Sequence, residues 1–166
     1  MSNDLKKNDF LPPNSKLVQI LTEICILEDI DLLASKLIGQ ISPNRGFCVW
    51  LTGPLGAGKT TVVSAILYQL GLSKNVPVLS PTYTIMADYN IKGVWYGHLD
   101  LYRLMEQASL EDLGILDAHD YGGIFVEWPE RCSGDPCIHP THLLELGYGS
   151  HEKERFVTLS RVVGRQ

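Results

Sequence analysis

Gly53-Pro54-Leu55-Gly56-Ala57-Gly58-Lys59-Thr60 is the stretch of this chain whose residue types and spacing most clearly prescribe chemistry. It satisfies G-x-x-x-x-G-K-[ST] at every fixed position, and the chemistry is phosphate binding. The glycines let backbone N–H groups turn inward around an anion, and a helix beginning at the end of the loop adds its partial positive charge. Lys59 would reach the β- and γ-phosphates of a nucleoside triphosphate, and the Thr60 hydroxyl would take one position on Mg²⁺. Hydrolysis needs more than a cradle: a carboxylate at the metal and a group that positions the attacking water. Two acids stand where apolar runs stop, Asp100 after Tyr96-Gly97-His98-Leu99 and Glu127 after Gly123-Ile124-Phe125-Val126. In open α/β sheets the carboxyl ends of parallel strands face the ligand crevice. Lys59, Asp100 and Glu127 are the candidate catalytic residues, and Thr60, Asp100 and Glu127 the candidate Mg²⁺ ligands. Spacing leaves open which acid is the ligand and which positions water.

The flanks suit the loop. Phe47-Cys48-Val49-Trp50-Leu51 reads as a buried strand, and Thr61 to Leu70 as a helix closed by Gly71. Upstream, residues 1–16 are polar, contain Pro12-Pro13 and read as a flexible tail, leaving 17–166 as a single domain. Thr22 to Leu27 suits an edge strand. Ile30, Leu33, Ala34, Leu37, Ile38 and Ile41 recur at helical spacing behind the acidic start Glu28, Asp29 and Asp31, with Pro43 as the stop. Downstream, Tyr83 to Tyr89 and Val94 to Leu99 flank Asn90-Ile91-Lys92-Gly93 as a hairpin. A short helix is expected from Glu106 to Leu116. Ile124 to Val126 is a buried strand, and Leu143 to Tyr148 with Phe156 to Leu159 form a second hairpin. The expected fold is one α/β domain, a P-loop nucleotide-binding sandwich. Its central, mostly parallel sheet carries added antiparallel hairpins, with helices on both faces.

Composition bounds the partners. The chain has 166 residues, 45% hydrophobic and 20% charged, with a net charge of -5. That size fits one domain with a real core, and the acidic balance argues against a surface made mainly to hold nucleic acid. No apolar run approaches a membrane span and the N-terminus lacks a secretory h-region. The four scattered cysteines suit a reduced, cytoplasmic protein.

Five motifs in order carry a resemblance. They are Leu55-Gly56-Ala57-Gly58-Lys59-Thr60-Thr61, Ser80-Pro81-Thr82-Tyr83-Thr84, His98-Leu99-Asp100-Leu101-Tyr102-Arg103-Leu104, Leu110-Glu111-Asp112-Leu113-Gly114 and Val126-Glu127-Trp128-Pro129-Glu130-Arg131. With these the chain resembles the TsaE (YjeE) family, the ATPase component of the machinery that makes threonylcarbamoyladenosine (t6A) in tRNA, over roughly Thr22 to Ser160. The resemblance implies an ATP- and Mg²⁺-dependent protein acting with TsaD-like and TsaB-like partners, touching tRNA only indirectly. It implies that Gly53, Pro54, Leu55, Gly56, Ala57, Gly58, Lys59, Thr60 and Thr61 hold the nucleotide, with Thr82 in a switch-like segment (Ser80 to Thr84) near the γ-phosphate and Trp128 beside the nucleotide. Asp100 matches the family's essential aspartate, and Glu127 its Walker-B-like acid. Pro54 departs from the Asp usual in the family, at a variable position of the loop.

Other chemistries were weighed on the residues. Cys132, Cys137, His139 and His142 are possible zinc ligands, but C-x4-C-x-H-x2-H is not a common structural spacing. A small-molecule kinase would need a lid and a second pocket. A GTPase reading rests on Asp120-Tyr121-Gly122-Gly123, which precedes a strand, and no N-K-x-D element accompanies it. A nucleotide-dependent binding module would differ mainly in turnover. His98 reads as a hydrogen-bonded neighbour of Asp100, and Arg103 as facing an acid, the phosphates or a partner.

Overall fold

A computed structural model describes residues 10–41, 46–104, 121–131 and 139–164. Seven strands form one sheet in the order β1-β7-β6-β2-β5-β4-β3, with two α-helices among the described residues. In chain order these are β1 (Ser15–Ile26), α1 (Ile30–Ile41), β2 (Cys48–Thr52), α2 (Lys59–Leu70), β3 (Met86–Ile91), β4 (Val94–Asp100), β5 (Gly123–Glu127), β6 (His142–Tyr148) and β7 (Glu154–Gly164). The centre is parallel: β2 pairs with β5 and β6, and β4 with β5. Antiparallel pairs close both sides, β3 on β4 and β1-β7-β6.

Side-chain alternation splits the sheet into two faces, because successive strand residues point opposite ways. On β2 and β5, Val49, Leu51 and Phe125 enter the larger core beneath the helices, while Cys48, Trp50, Ile124 and Val126 enter a second cluster. Both strands are buried throughout apart from Thr52, as parallel strands covered on two faces must be. α1 buries Leu33, Ala34, Leu37 and Ile41, and α2 buries Val62, Val63, Ala65, Ile66 and Leu67, in that same larger core. The helices pack on one another. α2 stops at Gly71 (φ 115°), where the Gly71 and Leu72 amides bond to the Tyr68 and Leu67 carbonyls in a Schellman cap.

Several expectations need correction. Helices were expected on both faces; among the described residues α1 and α2 share one. The second face is covered by Phe10, Leu11, Leu17, Ile85, Leu101 and Leu104, with the Phe10 ring 6.0 Å from that of Trp50. The strand expected from Thr22 begins at Ser15, inside the expected 1–16 tail, because Ser15 to Ile26, apart from a bulge at Ile20, finds partners on a long β7. The first hairpin is shorter at its start and turns on Lys92-Gly93 alone, both with positive φ (52° and 88°), as a two-residue hairpin turn requires. The expected helix from Glu106 to Leu116 lies outside the described residues. The GTPase-like Asp120-Tyr121-Gly122-Gly123 lies partly outside them.

Candidate functional site

The loop leaves β2 at Thr52 and enters α2 at Lys59. Gly53 lies at φ 135°, and a Cβ there would sit 2.1 Å from the Leu146 carbonyl oxygen, so only glycine lets the loop pass β6. Gly58, at φ 99°, is the left-handed N-cap of α2 and makes no side-chain cap, which leaves the first helical amides pointing into the loop. Two contacts brace the loop: the Ala57 amide on the Pro54 carbonyl at 3.1 Å, and the Tyr148 hydroxyl on the Leu55 carbonyl at 2.5 Å.

Lys59 is only 4% exposed. Its Nζ donates to the Gly53 and Pro54 carbonyls at 2.8 and 3.1 Å and stands 3.8 Å from the centre of the Trp128 ring. Burial pushes the ammonium pKa down; Glu127, Glu130 and Asp100 pull it back up. Lysine thus faces a buried acidic surround and an aromatic face, an arrangement that holds a cation without a one-to-one carboxylate partner.

The two acids end adjacent parallel strands in direct register, Asp100 opposite Glu127. This brings together two acids that stand far apart in the sequence. Glu127 Oε1 accepts from the Thr60 hydroxyl at 2.7 Å and lies 2.8 Å from His98 Nε2. His98 is fully buried and its Nδ1 has no partner among the described residues. The structure supplies the partner that the sequence left unnamed: His98, two residues before Asp100 in the chain, is hydrogen-bonded across to Glu127 on β5. Asp100 is instead held by hydroxyls from the segment before β3. Ser80 Oγ and Thr82 Oγ1 both donate to Oδ2, the latter at 2.9 Å, and the Tyr102 amide donates to Oδ1 at 3.0 Å.

One cleft of about 420 Å³ contains Gly56, Gly58, Lys59, Thr60, Thr61, Ser80, Thr82, Asp100, Glu127 and Trp128. Its donors are a hydroxyl and two carboxylates, hard oxygens of the kind Mg²⁺ prefers, at the mouth of a backbone N–H cradle. The residues present therefore fit a Mg²⁺–phosphate group. Trp128 follows Glu127 with φ 58°, an uncommon backbone for a bulky residue, and this turn lays its ring over Lys59. Sequence reasoning missed the lysine–tryptophan contact, the His98–Glu127 bond and the pair of hydroxyls on Asp100. It also missed a second cavity of about 530 Å³ behind the loop, lined among others by Cys25, Ile30, Gly58, Thr61, Lys153 and Arg155. None of these could be read from local spacing, since each joins elements far apart in the chain.

Cys132 and Cys137 lie outside the described residues. His139 is exposed, and His142 Nδ1 sits 2.8 Å from the Thr141 hydroxyl while its Nε2 is buried without a partner among the described residues. Among the described residues no group of three or more His, Cys, Asp or Glu is placed to hold a metal in the way a zinc site does. No helix among them is long and apolar enough to cross a membrane.

Fold and site together define a mixed α/β protein in which a glycine loop joins a central strand to a helix, with two strand-end acids lining the same cleft. The comparisons carry this further. A family model described as "Threonylcarbamoyl adenosine biosynthesis protein TsaE" matches residues 26–157, and the chain belongs to the TsaE family of t6A biosynthesis proteins. It is similar to the tRNA threonylcarbamoyladenosine biosynthesis protein TsaE of Haemophilus influenzae, 39% identical over 60% of this chain. That match spans 63% of the Haemophilus protein's length, under two thirds. The Nostoc relative of the same name is 36% identical over 67% of this chain and 70% of its own. The crystal structure of YdiB from Bacillus subtilis superposes with a TM-score of 0.59 over 89% of this chain and 88% of that one, at 24% identity, a likeness of fold.

Proposed function

We propose that the chain is a P-loop ATPase, dependent on Mg²⁺, that supports threonylcarbamoylation of tRNA through TsaD-like and TsaB-like partners in the cytoplasm. The observation that carries the reading is the convergence of Lys59, Thr60, Glu127 and Asp100 on one cleft at the N-terminus of α2. The triphosphate fits along the loop, with the amides at the start of α2 and Lys59 on the β- and γ-phosphates. Bound there, Mg²⁺ would supply charge neutralisation to the phosphates. Thr60 and Glu127, already 2.7 Å apart, are the pair best placed to hold it, directly or through water. Asp100 and the Ser80 and Thr82 hydroxyls stand at the far end of the cleft, where a water in line with the γ-phosphorus would be oriented. The second cavity, sharing Gly56, Gly58 and Thr61 with the first, offers the nucleoside a place behind the loop.

Lys59→Ala, measured by titration calorimetry against ATP with Mg²⁺, should lower affinity by roughly 10²-fold, since the phosphates lose a charged hydrogen-bond donor. Unchanged affinity would remove the ATP assignment. Adding TsaD-like and TsaB-like proteins should raise turnover, and modified tRNA should form only with the complete set.

A further inference from the structure

We propose that Arg103 is a catalytic arginine supplied in cis, its guanidinium meeting the γ-phosphoryl oxygens as charge develops during hydrolysis. The inference rests on the ATPase reading above. Arg103 lines the same cleft as Lys59, Thr60, Thr82, Asp100 and Glu127. Its place is set by a short turn anchored at three points. Leu101 and Leu104 are buried in the second cluster, the Leu104 amide bonds to the Leu101 carbonyl at 2.9 Å, and the Tyr102 amide bonds to Asp100. This turn drives Tyr102 and Arg103 outward on the cleft side while its leucines hold it to the sheet.

Among the described residues the guanidinium pairs with no carboxylate. It lies instead over the Tyr83 ring, 4.3 Å from its centre, and Tyr83 is 84% exposed. An exposed cation–π contact is among the weaker restraints on a cation. A triphosphate in the cleft would offer that guanidinium a better partner a short swing away. Lys59 cannot duplicate the role: it is buried under Trp128 and tied to its own loop. Arg103 comes from β4's end, so the two cations would bracket the transferring group. A planar guanidinium can donate to two phosphoryl oxygens at once, which an ammonium cannot.

In the step itself, water attacks the γ-phosphorus and the bond to the β–γ bridging oxygen breaks. Its electron pair leaves on ADP, and the water proton passes to the new phosphate or to solvent. Arg103 gives and takes no proton; it stabilises charge that is greater in the transition state than in bound ATP.

The test measures ATP affinity and single-turnover hydrolysis with Mg²⁺ on the full chain, alone and with its partner proteins. Variants are Arg103→Ala and Arg103→Lys, with guanidinium ion added at low millimolar concentration as a rescue probe. Because the side chain is exposed, both variants should melt as the parent does. Arg103→Ala should hydrolyse ATP about 10³-fold slower or worse, within the range of arginine fingers. Its ATP affinity should stay within about threefold of the parent. Arg103→Lys should recover little, and guanidinium ion should partly restore the alanine variant. Hydrolysis at the parent rate in Arg103→Ala overturns the proposal. So does a loss confined to the partner-stimulated rate, which would make Arg103 a docking residue, or a loss of affinity equal to the loss of rate. If the parent itself binds no ATP, the ATPase reading falls and the proposal falls with it, a result distinct from each of these.

Discussion

The two acids of the cleft are equally buried, each 3% exposed, and sit side by side in register, yet they are held by different kinds of structure. Glu127 ends β5, which is paired on both sides, and its contacts come from α2 and β4. Those elements are fixed by the main core, so Glu127, Thr60 and His98 form a preset unit. Asp100 takes its side-chain bonds from Ser80 and Thr82, on a segment without regular structure, and from its own turn. That segment closes at Ile85, whose φ of 66° is an outlier for a β-branched residue. Ile85 is held there by its amide on Pro81 and its carbonyl on the Asp100 amide. Strain of this kind, of order 1–3 kcal/mol, makes the Asp100 side the one that can be remade at low cost. On the ATPase reading proposed above, the difference would put Glu127 in a standing platform that holds the metal and the loop, and Asp100 in the part that responds to the γ-phosphate.

The largest expected effects should separate the acids. Glu127→Gln should weaken Mg²⁺-dependent nucleotide binding and be partly rescued at high Mg²⁺. Asp100→Asn should leave ATP affinity near the parent value and lower hydrolysis by at least ~10²-fold. Mg²⁺ titrations of binding and of turnover check both, and the reverse pattern would exchange the two roles. Next in size, Thr82→Val removes one hydroxyl from Asp100 without touching Glu127. A lost hydrogen bond to a charged group, about 1.5–3 kcal/mol, should cut turnover roughly tenfold or more, with Mg²⁺ dependence unmoved. A shift in Mg²⁺ dependence would show that the two halves are coupled.

The smallest effect lies outside the cleft and tests whether buried histidines act alike. Burial, and then Arg161, push the His142 pKa below its ordinary 6.5. As pH falls below 6.5 the unfolded chain takes up a proton that the folded one resists, so stability should drop with falling pH. His142→Gln should flatten that slope in urea melts between pH 7.5 and 5.5, with ATP turnover unaffected. An identical slope in parent and variant would leave His142 without a part in acid stability.

Legibility followed distance along the chain. The loop, its flanking strand and helix, the Gly71 cap and the apolar stripe of α1 were all readable, because each is a property of neighbouring residues. Asp100 and Glu127 could be chosen as strand-end acids, and the fold confirms their position there. Their adjacency was not readable: β4 looked like half of an isolated hairpin, and nothing local says that its other edge pairs in parallel with β5. The early start of β1 was hidden for the same reason. Ser15, Lys16 and Gln19 interrupt the apolar pattern there, and the segment becomes strand because a long β7 offers it partners.

What the sequence determined by itself is the kind of chemistry to expect: a glycine loop suited to an anion, a lysine and a threonine at its end, and two acids where apolar runs stop. Backbone freedom at glycine and side-chain charge are local facts, and no packing is needed to infer them. Only the tertiary structure decided who serves whom. It turned His98 to Glu127, set two hydroxyls on Asp100, laid Trp128 over Lys59 and left Arg103 over the exposed Tyr83 ring in the same cleft. Those choices follow from strand order and register, which depend on how the whole sheet buries its two faces, and no short window of sequence contains that information.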